Sequence, residues 1–177
     1  LGMTVHLDGA RLSNAAAALG VPFAAFTTEA GVDLLSLGGT KNGAMGAEAI
    51  VVLDPDRAAG LPYLRKSNMQ LASKMRFVSA QLVALFEGDL WLRNATHANA
   101  MAARLRQSLT DVPGVQFTQA TQANGVFVRL PAGVADAVRE RDGGVLLIDG
   151  GDMFQGTLES NLGEGAAMIR AYNAIGY

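Results

Sequence analysis

"LSLGGTKNGAMGAEAIVV", residues 35–52, sets one lysine among glycines and small residues between two apolar runs. The flanking segments, "VDLLSLGG" and "AEAIVVLDP", each read as a short buried strand, the first closed by two glycines and the second by Asp54-Pro55. Lys41 therefore falls in a turn between buried strands. A charged amine there is costly unless it is paired, neutralised or chemically used. Only two other lysines, Lys66 and Lys74, occur in the chain, so abundance does not explain this one. Two glycines precede Thr40 and one follows Asn42, which lets the backbone approach something closely.

Working outward, "MTVHLD" (Met3–Asp8) reads as a strand that delivers an acidic side chain at its C-terminal edge. "RLSNAAAALG" reads as a helix capped by Ser13 or Asn14, favoured by its alanines and stopped by Gly20. Strands separated by a short helix, with almost no polar alternation, predict an α/β arrangement with a covered, largely parallel sheet. From Leu61 the pattern becomes helical. "LPYLRKSNMQLASKMRFVSAQLVALFEG" carries Leu71, Met75, Val78, Leu82 and Leu85 at three- and four-residue steps, broken at Gly88. "DLWLRNATHANAMAARLRQSLTDVPG" continues with Ala98, Met101, Leu105 and Leu109 on one face. Two strand-like runs follow, "GVQFTQ" and "GVFVRLP", then a helix near residues 132–141 and a strand at "GVLLIDG". The expected organisation is 1–75 as part of a large domain, 76–110 as connecting helices, and 111–177 as a small α+β domain.

The chain has 177 residues, 50% of them hydrophobic, and a formal net charge of −2. That length buries a real core in one domain, or in one domain and a small lobe. Near-neutral charge without a basic stripe argues against nucleic acid as the main partner. Without cysteine there are no disulfides or thiolate metal sites, and His6 and His97 alone do not make a histidine-rich one. No apolar run approaches the roughly 20 residues of a membrane span, and no signal peptide opens the chain. A cytoplasmic protein without a metal is expected. The opening "LGMTVHLDGAR" reads as the middle of a strand–loop–helix unit, so the sequence is expected to begin partway through a longer protein.

Three segments concentrate chemistry: "HLDGAR", then "GGTKNG" with Lys41 lying 33 residues after Asp8, then "LASKMR". A lysine in a desolvated turn has a lowered pKa and acts as an amine nucleophile, whose natural product with an aldehyde is a Schiff base. An aspartate on a neighbouring strand end suits the task of keeping a pyridine nitrogen protonated, so that the ring serves as an electron sink. Arg11 has the fork that pairs bidentately with a carboxylate. Each residue also has a plainer reading. Asp-Gly after a strand is a turn signal, a loop lysine is commonly solvated, and Arg11 can simply pair with Asp8. His6, inside a strand, reads as a packed core histidine, and His97 as a helix-surface residue.

Taken together, "HLDGARLSNAAAALG", "DLLSLGGTKNGAMGAEAIVVLDP", "QLASKMRFVSAQ" and "DLWLRNATHANAMAARL" resemble the low-specificity L-threonine aldolases of the β-eliminating lyase group. The likeness runs from about Val5 to Leu109, and more loosely through "ANGVFVRLP". It implies a fold of type I, with a mostly parallel sheet in a large domain and a smaller C-terminal domain. It implies pyridoxal 5'-phosphate as cofactor. Lys41 would form the Schiff base, Asp8 would pair with the pyridinium nitrogen, and Arg11 would bind the substrate carboxylate. Arg76 would reach the cofactor phosphate of a neighbouring subunit, and Thr40 would assist near the phosphate. Under this reading the glycines beside Lys41 are room for the cofactor. The implied reaction cleaves threonine or a related β-hydroxy amino acid to glycine and an aldehyde, in an oligomer built as a dimer of dimers.

The family's N-terminal segment, with its phosphate cradle and its ring-stacking aromatic group, has no counterpart among these residues. The closing stretch lacks the family's usual strand with a substrate-binding arginine, and Arg170 falls in a helical pattern. Were the chain a shortened form, it would be expected to bind the cofactor weakly or not at all and to expose apolar sheet surface. Two other readings stay open from sequence: another fold-type-I lyase or aminotransferase, and an incomplete chain without catalysis.

Overall fold

The computed structural model describes residues 2–131, 133 and 134. The chain divides into two units, Leu1–Leu130 and Pro131–Tyr177, and the first is described below. Most of the expected helix near 132–141, and all of "GVLLIDG" and Arg170, lie outside the described residues.

Three strands, β1 (His6–Gly9), β2 (Leu34–Gly38) and β3 (Glu48–Val52), form one sheet in the order β1-β2-β3. β1 and β2 are parallel, with Asp8 opposite Ser36. β2 and β3 are antiparallel, with Ser36 opposite Ile50. The sheet is thus mixed, which corrects the expectation of a largely parallel one for these strands. The reason is connection length. Helix α1 (Leu12–Leu19) and a 3-10 turn (Phe23–Phe26) provide the long crossover that parallel pairing of β1 and β2 needs. The link from Gly39 to Ala47 is too short for one, so β3 must turn back along β2.

Register assigns the faces. Leu35 is buried beside Leu12, Ala16 and Val32 in the described core. Asp8, Ser36 and Ile50 share the opposite face, which is open, with Ile50 56% exposed. Both outer strands are edges of this sheet.

Helix α1 starts at Leu12, with Arg11 as its N-cap residue and no side-chain cap. Ser13 and Asn14, expected as caps, instead lie buried in the first turn. Gly20 ends the helix as expected, at φ 67°, its N–H donating to the Ala16 carbonyl. The long helical pattern from Leu61 is broken in two, α2 (Leu61–Ser67) and α3 (Arg76–Phe86). Helix α2 closes with the Gln70 N–H donating to the Arg65 carbonyl at 2.9 Å around Met69, and Met69 and Lys74 take left-handed φ values of 55° and 58°. The three- and four-residue apolar spacing therefore describes the chain from Met75 onward, and Leu71 is exposed.

Helix α4 (Leu90–Thr110) packs on α1 and α3. Its buried seam carries the small residues Ala95 and Ala102, while Met101 and Leu105, expected on the core face, are exposed. Asn14 and Asn99 join the two helices. Asn14 Nδ2 donates to Asn99 Oδ1 at 3.1 Å, and Asn99 Nδ2 donates to the Asn14 carbonyl at 3.0 Å. Alanines bring the axes close enough for this pair, and burial makes it consequential: an unpaired amide there costs about 1–3 kcal/mol. Beyond α4, β4 (Gln116–Phe117) and β5 (Val128–Arg129) form a short antiparallel pair, with the Arg106 guanidinium 4.1 Å from the centroid of the Phe117 ring. Among the described residues, no helix is long and apolar enough to cross a membrane.

Two expectations follow. Asn14→Leu and Asn99→Leu should each lower unfolding free energy by about 1–3 kcal/mol, and the double variant by less than their sum. Urea denaturation of the four species measures this, and strict additivity would show that the amides do not interact. A Cβ at Gly38 would lie 2.8 Å from Ala10 Cα and O, and one at Gly39 would lie 2.5 Å from the Ala47 carbonyl oxygen. Gly38→Ala and Gly39→Ala should therefore each cost about 1–3 kcal/mol in the same measurement, because backbone has to move.

Candidate active site

Asp8 stands one residue before the end of β1, and Lys41 lies in the 3-10 turn Thr40–Asn42 that follows β2. Because β1 and β2 are adjacent and parallel, both residues belong to the carboxyl edge of the same strand pair. Crevices outside such edges are where open α/β sheets bind ligands. The contact of Gly38 with Ala10 holds the two turns together, so residues 9–11 and 38–41 form one edge cluster. The glycines before Thr40 are thus occupied by protein backbone, Ala10 and Ala47, rather than being clearance for a cofactor. Physical closeness was legible in the Gly-Gly pair, but its partner was not.

Asp8 Oδ1 accepts the Ala10 N–H at 3.0 Å, a local turn bond that orients the carboxylate at the strand end. The turn reading and the functional reading of Asp8 are therefore compatible, since the bond uses one carboxylate oxygen. Arg11 is exposed at the head of α1, and among the described residues it makes no ion pair with Asp8. Lys41 is exposed, so the described residues do not form the desolvated setting expected for it. The turn packs against α4, with Asn42 buried and the Lys41 residue left exposed. Thr40 is also exposed, and its N–H donates to Glu48 Oε1 at 3.1 Å.

Arg76 opens α3, with its guanidinium carbon 4.9 Å above the ring centroid of Phe77. The same helix reaches the lysine loop farther along. Gln81 Oε1 accepts the Met45 N–H at 2.7 Å, and Leu82 packs against Gly39. The described contacts bring Asp8, Arg11, Thr40 and Lys41 to one edge and do not bring Arg76 into it. His6 is exposed and hydrogen-bonded to Ser36 Oγ at 2.8 Å, which corrects the core assignment: it stands on the sheet face opposite the core. His97 lies exposed on α4 as expected. A cavity of about 500 Å³ between the open sheet face and α2–α3 is lined by Ser36, Glu48, Ile50, Arg65 and Leu82, among others. It borders the edge cluster through Glu48 and contains none of the five predicted site residues.

Sequence reasoning passed over Asn42 and Asn94. Asn42 is buried beside Lys41, its Nδ2 donating to the Trp91 carbonyl at 3.0 Å, and Asn94 Nδ2 donates to the Asn42 carbonyl at 2.8 Å. The available signal was the asparagine placed between Lys41 and a glycine, a residue type suited to local and tertiary amide bonds.

A sequence model of the Beta-eliminating lyase family matches residues 1–131. The chain is 47% identical over 141 residues to the low specificity L-threonine aldolase of Pseudomonas aeruginosa, covering 80% of this chain and 41% of that protein. It is 43% identical over 176 residues to the low specificity L-threonine aldolase of a Pseudomonas species, covering 97% and 51%. The solved structure of Leishmania major threonine aldolase matches with a TM-score of 0.70 at 25% identity, over 79% of this chain and 41% of that one. The chain thus spans about half or less of the length of these relatives. The structural match supports the described β1–β3 sheet as part of the large domain of the type-I fold. With the family match running through both strand-end motifs and most of the chain, this chain belongs to the β-eliminating lyase family.

Proposed function

We propose that the protein is a pyridoxal 5'-phosphate-dependent lyase that cleaves L-threonine or related β-hydroxy amino acids to glycine and an aldehyde. The observation that carries this reading is the joint placement of Asp8 and Lys41 at the carboxyl edge of two adjacent parallel strands. The naming of two relatives as low specificity L-threonine aldolases supports it. The donor chemistry fits the cofactor: an amine for its aldehyde and a carboxylate for its ring nitrogen. When bound, the cofactor supplies an electron sink for the pair released at the substrate Cα.

In this reading Lys41 Nζ would be the amine that holds the cofactor's aldehyde carbon. Asp8 keeps a proton on the ring nitrogen, and Arg11 holds the substrate carboxylate through a two-point contact. Thr40 and Arg76 serve the phosphate, Arg76 from a neighbouring subunit. In the net reaction the Cα–Cβ bond of threonine would break and the equivalent of the β-hydroxyl proton would end on Cα, so that acetaldehyde and glycine balance. The protein then works as a cytoplasmic homo-oligomer, a dimer of dimers, without nucleic acid or membrane partners. Residues 1–75 belong to its cofactor-binding domain, 76–110 to connecting helices, and 111–177 to a small C-terminal domain.

Incubation of the chain with pyridoxal phosphate should give an absorbance near the visible edge that Lys41→Ala abolishes. With threonine or phenylserine, the wild type should release glycine and the matching aldehyde. Transamination or β-elimination in their place would overturn the aldolase reading, and a spectrum unchanged by Lys41→Ala would overturn the site. Asp8→Asn should keep covalent attachment while slowing glycine formation on the order of 10²-fold, the scale of losing one fixed electrostatic partner.

A further inference from the structure

Residue 42 is joined to the first turn of α4 by two hydrogen bonds that run in opposite directions. Its side-chain amide donates to the Trp91 carbonyl, and its own carbonyl accepts from Asn94 Nδ2. The lysine turn is closed internally as well: the Asn42 and Ala44 N–H groups both donate to the Gly39 carbonyl, and the Gly43 N–H donates to that of Thr40. Gly43 takes φ 109°, and a Cβ there would lie 3.1 Å from Asn94 Nδ2, so the chain leaves the turn with Asn94 packed against it. Asn42 is buried, although Lys41 on one side and Gly43 on the other are exposed. The amide pair therefore anchors the turn to α4.

The far end of the anchor is itself fixed. The Trp91 ring lies 4.5 Å from that of Phe23, which also meets Phe26 and Phe86 edge-on at 6.3 and 6.4 Å. Aromatic packing of this kind holds the start of α4 against the crossover after α1 and the end of α3. The turn is bonded to that packed point through the Trp91 carbonyl.

From this geometry we infer that Asn42 and Asn94 are positioning residues for Lys41, fixing the direction in which the lysine leaves the sheet edge. Their role is separate from that of Asn14 and Asn99, whose hydrogen bonds to each other join the same α4 to α1. The inference rests on the proposed covalent role of Lys41 for its chemical meaning, while the anchoring itself is measurable without it.

The test compares wild type, Asn94→Leu and Asn99→Leu in the full chain. One readout is amide hydrogen exchange at Asn42, Gly43 and Ala44. Another is the distribution of borohydride-trapped pyridoxal phosphate adducts over Lys41, Lys66 and Lys74, read by peptide mass. Thermal unfolding is recorded for all three proteins. Asn94→Leu should speed exchange at the three turn amides and lower the preference for Lys41 by about tenfold, the scale of one buried hydrogen bond. Asn99→Leu should lower the unfolding midpoint while leaving turn exchange and Lys41 preference at wild-type values. Unchanged turn exchange in Asn94→Leu, or equal loss of Lys41 preference in Asn99→Leu, would overturn the inference. A wild type without Lys41 preference would remove the proposed covalent role and leave the anchoring to be decided by exchange alone.

Discussion

The backbone of Gly38 lies against that of Ala10, closer than any side chain would permit. This contact joins the turn that follows β1 to the turn that follows β2. Everything at the candidate site depends on it, because Asp8 precedes one turn and Lys41 completes the other. Parallel pairing sets the two strand ends level, and the missing Cβ at Gly38 lets them touch. The adjoining contact of Gly39 with Ala47 then folds the chain back into β3. A pair of glycines is therefore a packing device here, and the chemistry stands on top of it.

Around that contact the structure uses amides where a larger core would use apolar side chains. Asn14 with Asn99, and Asn42 with Asn94, tie α4 to α1 and to the lysine turn. Alanine seams keep the helices close, and a buried amide that lost its partner would be costly, so these bonds specify one arrangement. The open sheet face, with Ile50 and Val52 exposed, is the counterpart of this economy. One face of the sheet holds the core of the described unit, and the other carries Asp8, Ser36 and His6 in register.

Several differences between pattern and structure share a cause. Period and propensity describe neighbours along the chain, while each departure was set by something far away in sequence. The sheet is mixed because the β2–β3 link is too short to cross over. Asn14 is buried in α1, where it reaches Asn99, although its type suits a cap. Leu71 left the helical pattern because the chain entered a left-handed bend at Met69, with the Gln70 N–H turned back to the Arg65 carbonyl. His6 sits in a strand as read, but on the face opposite the core.

Sequence alone determined the two strands that flank Lys41, the helix stop at Gly20, the long helix after Gly88, and the acidic and lysine motifs with their family resemblance. Those features rest on local chemistry: apolar runs, glycine's conformational range, and side-chain types at fixed spacing. Only the tertiary structure decided that Asp8 and Lys41 share one sheet edge, that the glycines meet backbone, and that Asn42 ties the lysine turn to α4. Those facts depend on which distant segments touch, and that is settled by strand pairing, connection length and close packing rather than by any residue's own preference.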